Sequence, residues 1–377
     1  MRNLKVCIIS SSYPPLEEGM GFALQRIARN LVKSGMNVHV VTRGHESGIT
    51  DSLDIRTDEE EGVKVHRIMD SGFGKQHISP YESYRVTLLI RKLHEEHSFD
   101  VFHGFGILPC GFISSVLSRQ TGIPNIVSVR GYHGEISPFD NRLLYSVKWA
   151  IDNAWRVSFV SRSSMEKMKL FSDCKDKSKV IYNSLDSSIF LYDDRIKLDG
   201  GFKIGVVGFM REKKGLEYLL NAFSEFKKAN KDAKLFIIGS LEDGYTPDGD
   251  MSEVTVTGFI DRKYVLNYIN QMDVIVIPSV SDGCPNALLE SMYCGKPIIG
   301  TKVGAIGEIL SHEKNGLLVE PSSSKDILDN MLRLFHDRKL AENIGKNAHD
   351  DVKREYTPKR ETDMWLSLYM SAVGDGG

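Results

Sequence analysis

The sequence predicts an α/β protein built from two doubly wound parallel-sheet domains of similar size. Short β-rich runs alternate with helical patterns along the chain, the rhythm of parallel sheets covered on both faces. At 377 residues the chain is too long for one ordinary core. A stretch rich in Asp, Ser and Gly without periodicity, 187–201, lies near the middle and reads as a linker.

The strands expected in the first half are 6–10, 38–42, 63–68, 101–103, 126–129, 157–160 and 179–182. Those in the second half are 203–207, 234–238, 254–257, 274–277, 297–300 and 316–319. All are short runs dominated by β-branched and other apolar residues, as in strands buried on both faces. Helical spacing of apolar residues fills the gaps, for example over 23–33, 216–229 and 265–271. The expected domains are therefore 1–186 and 202–354. The remaining 355–377 reads as an amphipathic helix after a proline break, crossing back to the first domain.

Bulk properties exclude several classes. Charged residues are 26% and hydrophobic ones 41%, as in a soluble globular protein. The formal charge of −2 gives no reason to expect nucleic-acid binding. Five cysteines make no disulfide framework and fit a reducing cytosol. The basic-then-apolar start is too short in its apolar part for a signal peptide core and reads as a first strand. No apolar run is long enough to span a membrane. A cytoplasmic chain is expected, with peripheral contact to the inner face of a membrane left open.

The most informative segment is Ser281-Asp-Gly-Cys-Pro-Asn-Ala-Leu-Leu-Glu290, which follows the apolar run 273–278 and opens a short helix closing at Gly295. Pro285 suits the first helical position, where its missing N–H would have no intrahelical partner. The amides of Asn286, Ala287 and Leu288 then stand unpaired at the helix start, where the dipole favours an anion. Asp282 precedes the helix and Glu290 lies more than a turn inside it. A diphosphate at the helix tip would have Asp282 within reach of one substituent and Glu290 within reach of the other. Either acid alone could be an ordinary turn or surface residue. The strand-to-helix turn, the proline and the second acid together favour a nucleotide-sugar site.

Other loops at strand ends add candidates. After 203–207 comes Gly208-Phe-Met-Arg-Glu-Lys-Lys-Gly215. Gly208 permits close backbone approach, Arg211 and Lys214 could reach the oxygens of a diphosphate, and Lys213 reads as solvated. After the first strand, a loop containing Gly19 and Gly21 runs into the helix and could lie against a phosphate or sugar. It lacks the third glycine and downstream acid of the dinucleotide fingerprint. In the first domain, Arg130-Gly-Tyr-His-Gly-Glu135 follows the strand 126–129, and His133 is a candidate for proton transfer or a bond to a sugar hydroxyl. His103 reads as a packed or hydrogen-bonded residue. Neither C-x-x-C nor H-E-x-x-H spacing occurs among the cysteines and eleven histidines, so no metal site is expected. The absence of a G-x-S-x-G elbow argues against a serine hydrolase.

Taken together, these residues resemble glycosyltransferase family 4, retaining enzymes of GT-B architecture with two doubly wound Rossmann-like domains facing across a cleft. The resemblance runs through the Gly-x-Gly loop, Leu31-Val-Lys-Ser-Gly35, Asp100-Val-Phe-His103, Val180-Ile-Tyr-Asn-Ser-Leu-Asp186 and Gly208 to Gly215. It is most specific from Pro278 to Glu308, including Glu290-Ser-Met-Tyr-Cys-Gly-Lys-Pro297 and Val303-Gly-Ala-Ile-Gly-Glu308. It implies that Glu290 bonds the ribose hydroxyls, that Asp282 contacts the transferred sugar, and that Arg211 and Lys214 hold the diphosphate. The sequence departs from the family where Asp282 stands for glutamate, Phe209 for arginine, Asn183-Ser184 for Asn-Gly and Arg130 for histidine. The implied reaction is metal-independent transfer of a sugar from a nucleoside diphosphate, UDP by default, to an acceptor hydroxyl of a glycan, lipid or small molecule. The alternatives are a nucleotide-sugar epimerase and a binding protein whose activity has decayed. The acceptor and the oligomeric state are not legible.

Overall fold

The computed structural model describes residues 3–15, 19–44, 55–69, 73, 79–131, 139–193 and 195–374. The chain divides into two compact units: Met1–Tyr182 with Pro358–Gly377, and Asn183–Thr357.

The first unit runs β1 (Lys5–Ser10), α1 (Gly19–Lys33), β2 (Asn37–Arg43), β3 (Ile55–Glu60), β4 (Val63–Ile68), α2 (Pro80–His97) and β5 (Val101–Phe105). It continues α3 (Phe112–Thr121), β6 (Asn125–Val129), α4 (Leu144–Asp152), β7 (Arg156–Phe159), α5 (Arg162–Lys169) and β8 (Ser178–Val180). Its sheet has the order β3-β4-β2-β1-β5-β6-β7-β8, with β3 antiparallel to β4. Along β1 the residues alternate between two apolar layers. Val6 and Ile8 join one core with α1, and Cys7 and Ile9 join another with α2 and α3. That burial on both faces is why β1 reads as an unbroken apolar run.

The second unit runs β9 (Lys203–Val207), α6 (Leu216–Ala229), β10 (Lys234–Ile238), β11 (Val254–Val256), α7 (Val265–Ile269) and β12 (Val274–Ile277). It continues α8 (Asn286–Tyr293), β13 (Ile298–Thr301), α9 (Ile306–Ile309), β14 (Leu317–Val319), α10 (Ser324–His336) and α11 (Arg338–Glu355). Its strands are parallel in the order β11-β10-β9-β12-β13-β14. Strand order reverses at β9, which lies between β10 and β12. In open α/β sheets ligands bind outside the carboxyl ends of the strands at such a point.

The last helix, α12 (Pro358–Gly374), packs on the first unit, where Trp365, Leu368, Tyr369 and Ala372 join the core around α1 and β1. A buried bidentate pair also ties it there, with Arg26 Nε and Nη2 donating to the Glu361 carboxylate at 3.0 and 3.1 Å. Among the described residues, no helix is long and apolar enough to cross a membrane.

Three expectations are corrected. Helix α1 begins at Gly19, so Gly19 and Gly21 form its first turn instead of a loop. Gly21 is needed for packing, because a Cβ there would sit 2.7 Å from Ser12 Oγ. The stretch 187–201 is no free tether. Leu191 N donates to Lys263 O at 2.7 Å, while Asn267 and Gln271 side chains donate to Leu191 O and Ile196 O at 2.8 and 2.9 Å. Polar side chains on and just after α7 thus bind its backbone at Leu191, Asp193, Ile196 and Leu198. Finally, β3 was not expected. Its residues Arg56 to Glu59 are exposed, so it carries no apolar alternation, and charged Asp58 and Glu60 pair across to Arg67 of β4.

Candidate functional site

Three loops converge at the carboxyl ends of β9, β12 and β13. The loop after β9 is bound to the loop after β12 through Lys213 O, which accepts from Val280 N and Ser281 N at 2.9 and 3.3 Å. The loop after β13 closes on the same segment. Thr301 Oγ1 donates to Ser279 O at 2.6 Å, and Ala305 N donates to Gly283 O at 2.7 Å. Gly304, at φ +47°, lies so close that a Cβ would sit 1.8 Å from Asp282 O. Behind these loops, a Cβ at Gly239 would sit 2.1 Å from Gly208 O, while one at Gly208 would meet nothing nearer than Met210 Cε at 3.8 Å, so Gly208 is set by its φ of +122°.

Asp282 is the centre of this arrangement. It is only 7% exposed. Its carboxylate accepts from Lys214 Nζ at 2.6 Å, from the Gly283 amide at 2.9 Å and from Ser279 Oγ at 3.4 Å. Burial pushes its pKa up, but Lys214, Lys213 and the Gly283 amide outweigh that and hold it below the usual carboxylate value. Asp282 is therefore an ionised acceptor, not a proton donor, at neutral pH. Lys214 offers three N–H donors, of which Asp282 takes one. Arg211 stands beside this turn with its Nε buried and without a hydrogen-bond partner among the described residues. A buried donor left open is costly unless a ligand fills it.

Helix α8 differs by one residue from expectation. Pro285 is the cap residue, in extended conformation, and Asn286 begins the helix. The Leu288 amide donates to Pro285 O at 3.2 Å, so it is not one of the open groups. The Asn286 and Ala287 amides remain without acceptors among the described residues. Asn183 pins this turn, its side-chain amide donating to Cys284 O at 2.8 Å and Asn286 Oδ1 at 3.4 Å.

Glu290 is no surface residue: it is 5% exposed and accepts from Arg262 Nε at 3.3 Å. Arg262 lies in the turn before α7 and has no sequence signal linking it to Glu290. The Ser279–Thr301 contact was equally unforeseen. A groove of about 450 Å³ lined by Leu266, Tyr293, Cys294 and Lys346 lies at the far end of α8, away from these loops.

The remaining candidates belong to the first unit. Arg130 directly follows β6, buried, its guanidinium 4.6 Å from the Phe105 ring centre. His103 is fully buried, with Nδ1 2.7 Å from Tyr369 Oη and Nε2 2.7 Å from Ser128 Oγ. His133 lies outside the described residues.

Comparison with known proteins agrees with the fold. The family model for glycosyltransferase family 4 matches residues 18–188, and that for group 1 glycosyl transferases matches 193–351. An uncharacterized glycosyltransferase of Methanocaldococcus jannaschii is 26% identical over 98% of this chain and 99% of its own length. Sucrose-phosphate synthase from Thermosynechococcus elongatus superimposes with a TM-score of 0.82 at 18% identity, covering 99% of this chain and all of that one. HepE of Anabaena, solved with UDP-glucose, gives 0.77 at 15% identity over 98% of this chain and 100% of its own. At such identities the likeness to the two structures is one of fold. With a family 4 match over one half, a group 1 match over the other and two Rossmann-like α/β domains of the GT-B type, the chain belongs to the family 4 glycosyltransferases.

Proposed function

We propose that this glycosyltransferase moves a sugar from a nucleoside diphosphate, UDP by preference, to an acceptor hydroxyl with retention at the anomeric carbon. The observation that carries this reading is the Lys214–Asp282 pair at the strand-order reversal, beside the open Arg211 Nε and the open amides of α8. Breaking the bond from the anomeric carbon to phosphate leaves negative charge on the diphosphate. Arg211, Lys214 and the Asn286 and Ala287 amides are the groups to receive it, and fixed donors of this kind contribute several kcal/mol. Ionised Asp282 would accept from a hydroxyl of the transferred sugar while keeping Lys214 in place. Glu290, held by Arg262, would accept from the ribose. In front-face attack the acceptor oxygen bonds the anomeric carbon, the carbon–phosphate oxygen bond breaks, and the acceptor proton passes to the leaving phosphate. The cations at the diphosphate favour transfer without added divalent ion. UDP is supported by HepE, which was solved with UDP-glucose.

The test is donor binding and transfer with UDP-, GDP- and ADP-sugars and a hydroxyl acceptor panel, without added metal, with product configuration read by NMR. Lys214→Ala and Arg211→Ala are each expected to lower the transfer rate by about 100-fold or more, with circular dichroism unchanged. A folded Lys214→Ala protein that transfers at the parent rate overturns the phosphate assignment, and sugar rearrangement without acceptor would indicate an epimerase.

A further inference from the structure

Three histidines meet beneath α2, far apart in sequence and on three different elements. His39 lies on β2, His66 on β4 and His97 in the last turn of α2. In the parallel β2–β4 pair Val41 lies opposite His66. His39 thus sits two residues back on the same face, the one that α2 covers together with Val41 and Ile68. The His39 and His66 rings stack at 5.1 Å and 17°, and His97 approaches them at 4.7 and 5.7 Å. One ring nitrogen from each lies within 4.8 Å of the other two.

Hydrogen bonding orients the set. His39 Nδ1 is 2.9 Å from His66 Nε2, and the opposite nitrogen of His66, Nδ1, is 2.9 Å from Thr57 Oγ1 on β3. A proton on His66 Nδ1 donated to Thr57 leaves Nε2 with its lone pair turned into the cluster. This is the outer-shell bond that commonly fixes a metal-ligating imidazole. His94, the next histidine on α2, is engaged elsewhere, its Nδ1 accepting from Phe99 N at 3.1 Å. Burial, reinforced by the neighbouring histidines, lowers His39 to about 3 and His66 to about 4, so both rings are neutral at physiological pH. Lys5 and Lys64 oppose a cation here, but Lys5 Nζ is held on His97 O at 2.9 Å, and Glu96, 3.8 Å from His97 Nε2, opposes them. His39 and His66 are buried while His97 is partly exposed, which leaves the cluster open to water on one side.

We propose that His39, His66 and His97 form a divalent transition-metal site of the zinc class that clasps the end of α2 to the edge of the first sheet. Three imidazoles with one solvent-facing position suit Zn²⁺, with water as fourth ligand. Tetrahedral binding with Zn–N near 2.0–2.1 Å sets ligand nitrogens roughly 3.3 Å apart, so the nitrogens, now within 4.8 Å of one another, draw together around the ion. The site binds none of the reacting groups proposed above and stands independently of that reading.

The experiment titrates Zn²⁺ into chelator-treated, desalted full-length protein. Bound metal is counted by mass spectrometry, affinity is taken from competition with a chromophoric chelator, and melting is followed with and without zinc. One zinc per chain and a raised melting temperature are expected. Co²⁺ should give the visible bands of a four-coordinate nitrogen site. His97→Ala, which leaves both buried histidines in place, should weaken binding by about tenfold or more and abolish the thermal gain. His336→Ala, altering an exposed histidine in the second unit, should change neither. Substoichiometric zinc in the parent protein, or equal affinity in parent and His97→Ala, overturns the proposal. Either result marks any bound zinc as adventitious.

Discussion

At the scale of single residues, the second unit concentrates its constraints on one short loop. Asp282 holds Lys214, the Gly283 amide and Ser279 at once, and Gly304 presses against its carbonyl. Gly304→Ala should therefore disturb the loop at two levels, since the added carbon overlaps Asp282 O and the φ of +47° disfavours an L side chain. We expect a stability loss of about 1–3 kcal/mol or more and weaker UDP binding, measured by denaturant titration and calorimetry. A variant matching the parent in both would show that the loop relaxes freely. Much of this site was legible because its main residues lie in one contiguous segment. Asp282, the start of α8 and Glu290 can be placed from Pro285 and the strand before it. Arg262 could not be placed, since its link to Glu290 exists only through the fold. The open status of Leu288 was misjudged because the first turn tightens onto Pro285 O.

At the scale of elements, α12 binds the first unit through polar as well as apolar contacts. Beside Arg26–Glu361, His103 on β5 sits within 2.7 Å of Tyr369 Oη. Burial, with a smaller push from Arg130, lowers His103 to about 3. Its folded value lies below the unfolded value near 6.5, so the unfolded chain binds more protons between those limits. Its contribution is complete above about pH 6.5 and declines toward pH 3, by about 1.4 kcal/mol per pH unit. His39 and His66 act in the same direction, so the informative comparison is with His103→Gln, which keeps a donor and an acceptor. Denaturation at pH 7.5 and 5.5 should show a shallower loss in the variant; identical slopes would remove His103 from this role. Elements with continuous apolar runs were readable in sequence, and their ends moved by only a residue or two. Strand β3 was not, because an exposed charged edge carries no periodic signal. The histidine cluster was invisible for a related reason: local spacing motifs find ligands on one element, whereas these come from β2, β4 and α2.

At the scale of the whole molecule, the alternation of strands and helices was enough to foretell two doubly wound sheets, while the behaviour of 187–201 depended on side chains of α7. The two units are defined by contacts and not by chain order, because Pro358–Gly377 completes the first. Ending the chain at Thr357 should therefore harm the N-terminal unit and spare the one it is cut from. It would strip away the buried Trp365 and Tyr369 and leave Arg26 as an uncompensated buried charge, a loss of about 3–5 kcal/mol from the ion pair alone. Limited proteolysis with mass spectrometry should find rapid cleavage before Tyr182 and a resistant fragment over 183–357. Equal resistance of both halves would contradict this.

The position of α12 also sets an order of events at the ribosome. The apolar surface that receives Trp365 and Tyr369 is synthesised early, yet its cover emerges only after the entire second unit. At usual elongation speeds that wait is on the order of ten seconds or more. Through that interval the nascent first sheet has an oily face with nothing to shield it, a natural landing place for a chaperone, and its closure cannot precede synthesis of the whole second unit.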